Sequence, residues 1–157
     1  MIRHSVMVGW ADTPVRRFVY DARLQLAVLM HPSGQVLAQH GFQRQMDVQT
    51  ACALSAAINA TAVQLGLLID GVPFTGLHYA GAVRQIHLAQ VPIRSGTLLL
   101  LSVFDEESSL GIVQLYLDEL RAALAATAPV DQDAPPALAE DFEHDLNTNL
   151  AALFGRR

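Results

Sequence analysis

The pattern of apolar and polar positions is most unusual after Asp47, where no further charged side chain occurs until Asp70. Asp47 is a favoured residue for the start of a helix and Gly66 for its end. The sequence therefore predicts a helix of about five turns over residues 47–66. Helical spacing gives it one ordinary core-facing stripe, formed by Ala51, Leu54, Ile58, Ala62 and Leu65.

The opposite face of this helix carries small apolar residues where charges are expected. They are Cys52, Ala53, Ala56, Ala57, Ala60 and Val63, with only Gln49, Asn59 and Gln64 for polarity. A helix that is apolar all round is buried all round or lies in a membrane, and its polar interruptions and missing basic flank argue against a membrane span. Because a chain this short cannot easily cover both faces, we infer that another chain buries the second one. The alternative is an Ala-rich helix chosen for its propensity, or one covered by the chain's own C-terminus.

The other blocks alternate between helical and strand periodicity. A type I turn at His31–Gly34 predicts a hairpin, and Gly9 argues against a continuous helix through residues 1–12. The nearly all-apolar run 97–104 predicts a central strand buried on both faces. The predicted order is helix 14–23, strands 24–30 and 35–42, the long helix, strands 74–79, 83–91 and 97–104, and helix 110–127. This order is typical of an α+β fold with helices on the faces of a sheet.

The composition changes after residue 128, which predicts a domain over 1–128, a proline-rich linker over 129–137 and a C-terminal amphipathic helix over 138–157. This helix either folds back onto its own domain or docks in the groove of a partner. Its apolar docking face consists of Leu138, Phe142, Leu146, Leu150 and Leu153.

The charge and cysteine content limit the classes of function and the cellular location that the sequence favours. Only 16% of residues are charged and the net charge is −5, so nucleic acid is not an expected partner. Lysine is absent, which excludes P-loop and Schiff-base chemistry. The single cysteine and the lack of a signal-peptide pattern favour a cytoplasmic location.

Catalytic motifs are absent from the sequence. His78 and His87 lie on neighbouring predicted strands and could face each other, but two imidazoles alone make a poor metal site. The acids of 105–107 are expected to cap the next helix, Arg16 and Arg17 to be exposed helix charges, and Cys52 to be an inert thiol. We therefore expect no catalytic residue, no metal and no cofactor.

The uncharged Ala-rich helix after a hairpin, the strand ending in Val103-Phe104-Asp105-Glu106, and Leu110-Gly111 at the next helix resemble the roadblock/dynein-light-chain family. The likeness is greatest to its MglB-like members, which regulate a small Ras-like GTPase of the MglA type. The resemblance implies a roadblock-like five-stranded antiparallel sheet with one helix on one face and two on the other. It also implies a homodimer in which the third strands join edge to edge and the long helices lie side by side.

The resemblance further implies that the dimer binds one GTPase and accelerates GTP hydrolysis, and possibly nucleotide exchange, without an arginine finger, in a role connected with cell polarity. The GTPase-binding residues would be Ala53, Ala56, Ala57, Ala60 and Gln64. The dimer interface would be formed by Cys52, Asn59, Val63, Phe74, Leu77 and Tyr79. The alternatives are a passive roadblock-type scaffold with no effect on hydrolysis, and a small-molecule sensor or enzyme with a pocket between sheet and helix.

Overall fold

The computed structural model describes residues 9–41 and 47–129, and the predicted linker and C-terminal helix lie outside them apart from Pro129. The predicted order of elements is confirmed. The elements are α1 (Gly9–Asp21), β1 (Leu26–Met30), β2 (Val36–Gly41), α2 (Val48–Asp70), β3 (Gly76–Ala80), β4 (Gln85–Ile93), β5 (Gly96–Phe104) and α3 (Leu110–Thr127).

The first helix begins earlier than predicted, because Gly9 opens α1 and Pro14 lies inside it. A proline within a helix leaves the carbonyl four residues before it without its usual N–H donor. The hydroxyl of Thr127 on α3 lies 3.3 Å from that carbonyl oxygen, which belongs to Trp10. The same hydroxyl lies 2.9 Å from Ala123 O of its own helix, and its single hydrogen can be donated to only one of the two carbonyls at a time.

All strand pairs are antiparallel, and the strand order is β2-β1-β5-β4-β3. The prediction of a central strand buried on both faces is confirmed, since β5 lies in the middle and is buried from Leu98 to Phe104. The loop after β4 is shorter than the gap of residues 92–96 left between the predicted strands. Pro92 and Ile93 continue the strand and pair with Thr97 and Gly96.

Helices cover both faces of the sheet in the two-against-one arrangement that the resemblance implied. On one face α1 and α3 pack on a large core that includes Phe18, Leu29, Leu100 and Leu117. On the other face α2 packs through Cys52 on a smaller core with Val28 and Leu99. Strand β3 lies at the edge of the sheet next to β4, and most of its residues are exposed.

Candidate partner-binding surface

Helix α2 has the predicted start but not the predicted end. The Asp47 carboxylate accepts a hydrogen bond from Thr50 N at 3.1 Å, and hydrogen bonds from the Thr50 side chain and backbone hold the pKa of Asp47 below its usual value. The prediction that Gly66 ends the helix is wrong. The helix continues to Asp70, and Gly71 ends it with φ +72° and an N–H donated to Leu67 O.

Gly66 has a packing role inside α2. A Cβ at this position would lie 2.4 Å from Phe74 N and 2.8 Å from Val72 O. The absence of a side chain therefore lets the chain turn back against the helix on its way to β3. The sequence signal for the true end was Gly71 followed two residues later by Pro73, which is a common helix-stop pattern.

The side of α2 that faces the sheet agrees only in part with the predicted stripe, of which Ala51 and Ile58 pack against the smaller core. Cys52, Ser55 and Gly66 are its buried residues, whereas Leu54 is 60% exposed and Leu65 is 47% exposed. Cys52 was expected on the second face and at the dimer interface, but it is fully buried within the core of its own chain. Small side chains allow a helix to lie close to a sheet, and on a helix without charges the apolar period alone cannot reveal this preference.

The outer face of α2 is exposed and apolar. Of the residues predicted to bind a GTPase, Ala53, Ala57, Ala60 and Gln64 are exposed, and Ala56 is half-buried at the flank. Larger apolar side chains extend this face beyond the predicted residues, with Leu68 at 83% and Ile69 at 62% exposure. We call the outer face of α2 the platform, defined by Ala53, Leu54, Ala57, Ala60, Gln64, Leu65, Leu68 and Ile69.

Three polar side chains of α2, those of Ser55, Asn59 and Thr61, form hydrogen bonds within the chain. Ser55 Oγ donates to Ala51 O at 2.7 Å, and Thr61 Oγ1 donates to Ala57 O at 2.9 Å. Asn59, predicted at the dimer interface, is half-buried and its side-chain oxygen accepts a hydrogen bond from Gln90 Nε2 at 3.3 Å. This bond ties α2 to β4 of the same chain.

The edge strand β3 adjoins the end of α2. Phe74 was predicted on this strand, but it lies before Gly76, where the strand begins, and packs against Gly66. Leu77 is half-buried against the smaller core, while Tyr79 on the same side is 55% exposed. Val63 on α2 is half-buried. The outer edge of β3 pairs with no other described strand and offers its backbone groups to the strand of another chain.

By length and composition alone, one helix of the described residues, α2, could cross a membrane. Its inner side is attached to a sheet through Cys52 and the Asn59–Gln90 hydrogen bond. An apolar face on a helix attached in this way is typical of a protein contact surface.

The other candidate residues are placed as follows. His78 and His87 do face each other across β3 and β4, and no group of three potential metal ligands occurs in the described part of the chain. Burial raises the pKa of the Cys52 thiol to about 11, which agrees with the prediction of an inert thiol.

The acids after β5 do not provide the side-chain cap of α3, contrary to expectation. Ser109 is the N-cap and its Oγ accepts a hydrogen bond from Ile112 N at 3.3 Å. The Asp105 carboxylate accepts instead from Gln25 Nε2 at 2.5 Å and from Glu107 N at 3.0 Å. These bonds fix the turn between β5 and α3 and its contact with the start of β1.

The face of the sheet opposite the platform has a groove of about 120 Å³ between α1 and α3. Arg17 at its rim is paired with Asp21 at 3.2 Å, and the neighbouring Arg16 is paired with Asp12 at 2.8 Å. Both guanidinium groups are exposed, as predicted for ordinary helix charges.

Comparison with solved structures gives consistent fold neighbours. MglB from Myxococcus xanthus superposes with a TM-score of 0.68 at 23% identity, over 75% of this chain and 94% of that one. The gliding protein MglB from Thermus thermophilus gives 0.68 at 22% identity, over 82% and 95%. A Roadblock/LC7 domain from Streptomyces avermitilis gives 0.60 at 16% identity, over 76% and 95%. This chain has a roadblock fold of the MglB-like kind.

The roadblock fold confirms the resemblance at the level of architecture. No family model matches the sequence, and no curated protein matches it. At these identities the likeness establishes the fold alone, so a role for this chain has to be inferred from its own surface. One of the matched structures, with a TM-score of 0.69 and 22% identity, is described as MglB with a tetrameric arrangement.

Proposed function

We propose that this protein is a non-catalytic regulator of a small Ras-like GTPase of the MglA type, acting as a homodimer that stimulates GTP hydrolysis. The observation that carries the proposal is the platform: a 23-residue helix without internal charge whose outer face is exposed. Exposed apolar area of this kind is typical of protein–protein contact sites. The roadblock fold supports this assignment.

The proposed dimer places two platforms side by side and joins the β3 edges. An exposed strand edge is a liability in solution, and pairing with a second copy removes it. The exposed Tyr79 and Val72 next to this edge would be covered by the same contact. A GTPase would then bind across small side chains, which allow close approach over a broad area.

The proposed stimulation acts by reshaping the active site of the GTPase, without an arginine finger. Helix α2 contains no arginine, and Arg16 and Arg17 are on α1, which packs on the opposite face of the sheet. Arg84, in the exposed turn between β3 and β4, serves as a check. An Arg84→Ala variant should still stimulate hydrolysis, and selective loss of stimulation with an intact complex would contradict this part of the proposal.

The main test compares charged substitutions on the platform with a matched one elsewhere. Ala57→Arg and Ala60→Arg place a charge on exposed positions of α2, where burial against a GTPase would be costly. We expect at least tenfold weaker binding, equivalent to about 1.4 kcal/mol, and loss of GTPase stimulation. Ala122→Arg makes the same exchange at an exposed position of α3. This variant should change neither the affinity for the GTPase nor the stimulation of hydrolysis.

Binding is measured by titration calorimetry and hydrolysis by phosphate release, with the GTPase alone as reference. Normal binding by both platform variants would show that another surface is used. A complex that leaves the hydrolysis rate unchanged would contradict stimulation and favour the passive scaffold. The absence of any complex with the GTPase would refute the proposal.

A further inference from the structure

Two histidines face each other where the edge strand joins the sheet. Strand β3 pairs with β4 alone among the described strands, and His78 lies directly opposite His87 in that register. His87 is only 6% exposed, whereas all β3 residues except Leu77 are exposed. We propose that the His78–His87 pair is a pH-sensitive latch that releases β3 from β4 in mildly acidic solution.

The surroundings of His87 favour a neutral imidazole. Its Nδ1 is buried without a hydrogen-bond partner, and so is the hydroxyl of Ser102, its cross-strand neighbour on β5. Burial is the main cause that lowers the pKa of His87, followed by the nearby charges of His78 and Arg121. A protonated His87 would have no acceptor at Nδ1.

The groups around the pair do not compensate a positive charge on it. On β3, His78 Nε2 forms a hydrogen bond with Gln85 Oε1 at 2.8 Å. The His78 ring also stacks on the uncharged ring of Phe104, with 6.1 Å between the ring centres. On α3, the Arg121 guanidinium donates to Gln90 O at 3.0 Å, and Asp118 on the same helix is paired with Arg121. Protonation of both histidines would therefore create repulsion across the strand pair.

The direction of the effect follows from proton linkage. A histidine whose pKa is lower in the closed state contributes stability that is present above its ordinary pKa of about 6.5 and is lost as the pH falls below it. Because β3 has little buried area, its release costs less than global unfolding. The ordinary pKa of about 6.5 limits the increase in the open population between pH 7.5 and pH 5.5 to about tenfold.

This inference extends the proposed function, because β3 is the strand that would join the two subunits. Release of β3 in acid would remove the edge that the partner needs. The latch would make assembly of the dimer dependent on pH, while the central strands β1 and β5 remain paired.

The test measures amide hydrogen exchange of the full-length protein at pH 7.5 and 5.5, corrected for intrinsic exchange. In the wild type we expect loss of protection in β3 and its partner residues on β4 of up to about tenfold, with β1 and β5 unchanged. His87→Gln should abolish this dependence and His78→Gln should reduce it. His31→Gln, in an exposed turn, should retain it as the matched control. A uniform change in all strands, or the same dependence in His87→Gln, would overturn the latch.

Sedimentation of the same samples separates this inference from the proposed function. A dimer at pH 7.5 that dissociates at pH 5.5, but not in His87→Gln, would support both. A monomer at both pH values with selective opening of β3 would support the latch and contradict the proposed dimer. A dimer at both pH values with unchanged protection of β3 would overturn the latch alone.

Discussion

Replacing Gly66 by alanine should destabilise this protein, although the same exchange stabilises most helices. In a helix interior alanine is favoured over glycine by about 1 kcal/mol. Here the added Cβ would lie 2.4 Å from Phe74 N and 2.8 Å from Val72 O. Both are backbone atoms, so the segment leading into β3 must move to accommodate the methyl group.

The expected magnitude is the difference between these two effects. Overpacking of a well-packed site costs about 1–3 kcal/mol, and the upper end applies because backbone, not a flexible side chain, is displaced. Subtracting the propensity gain leaves a net loss of about 2 kcal/mol. For a chain of this size such a loss lowers the Tm by about 4–8 °C.

Gly111→Ala is the matched control. Gly111 is an exposed residue in the first turn of α3, and a Cβ there would come no closer than 4.0 Å to Ser109 Oγ. The propensity term then acts alone, so this variant should be as stable as the wild type or up to about 1 kcal/mol more stable. The two exchanges are chemically identical, but only Gly66→Ala is predicted to destabilise the protein.

Urea and thermal unfolding of both variants, followed by circular dichroism, measure the difference. The protein concentration is kept fixed, because assembly would make the Tm depend on it. A Gly66→Ala protein equal to or more stable than the wild type would refute the close approach of α2 and the segment before β3. Loss of stability in both variants would refute the control reasoning.

Two further predictions concern single residues. Ser109→Ala removes the side-chain cap of α3 and should lower the free energy of unfolding by about 1 kcal/mol. Ser109→Asp keeps a capping oxygen and should retain most of that stability. Equal stability of the Ser109→Ala variant and the wild type would contradict the cap. The Cys52 thiol is fully buried with a pKa of about 11, so a disulfide reagent at pH 8 should label it in urea and leave it unlabelled in the native protein. Rapid native labelling would contradict its place in the core.

The sequence was sufficient for the elements and their order, because periodicity and capping act over a few residues. The uninterrupted apolar run before Phe104 predicted the central strand, and Asp47 predicted the start of α2. The predicted strands placed His78 and His87 on neighbouring strands, and the structure supplies the register in which they are opposite each other. The resemblance to the roadblock family added the sheet and the distribution of helices, which the structure confirms.

The sequence predicted the side of α2 that faces the sheet only in part, since Ala51 and Ile58 pack on the smaller core as expected but Leu54 and Leu65 are exposed. A helix that is apolar all round has no polar face to orient it, so Leu54 was placed inside and Cys52 outside, the reverse of what the structure has. Local patterns also suggested the wrong end at Gly66, since a glycine within a helix and a glycine at its end look alike when no neighbour is visible.

What the sequence determined by itself was an uncharged helix in a chain with few charges, from which we predicted a surface that a partner covers. The tertiary structure decided which residues form that surface, because Cys52 lies buried in the core against the sheet and Gly66 lies against the segment before β3. The larger leucines were left outside. Close packing depends on distances between segments remote in the chain, and these exist only once the sheet is assembled.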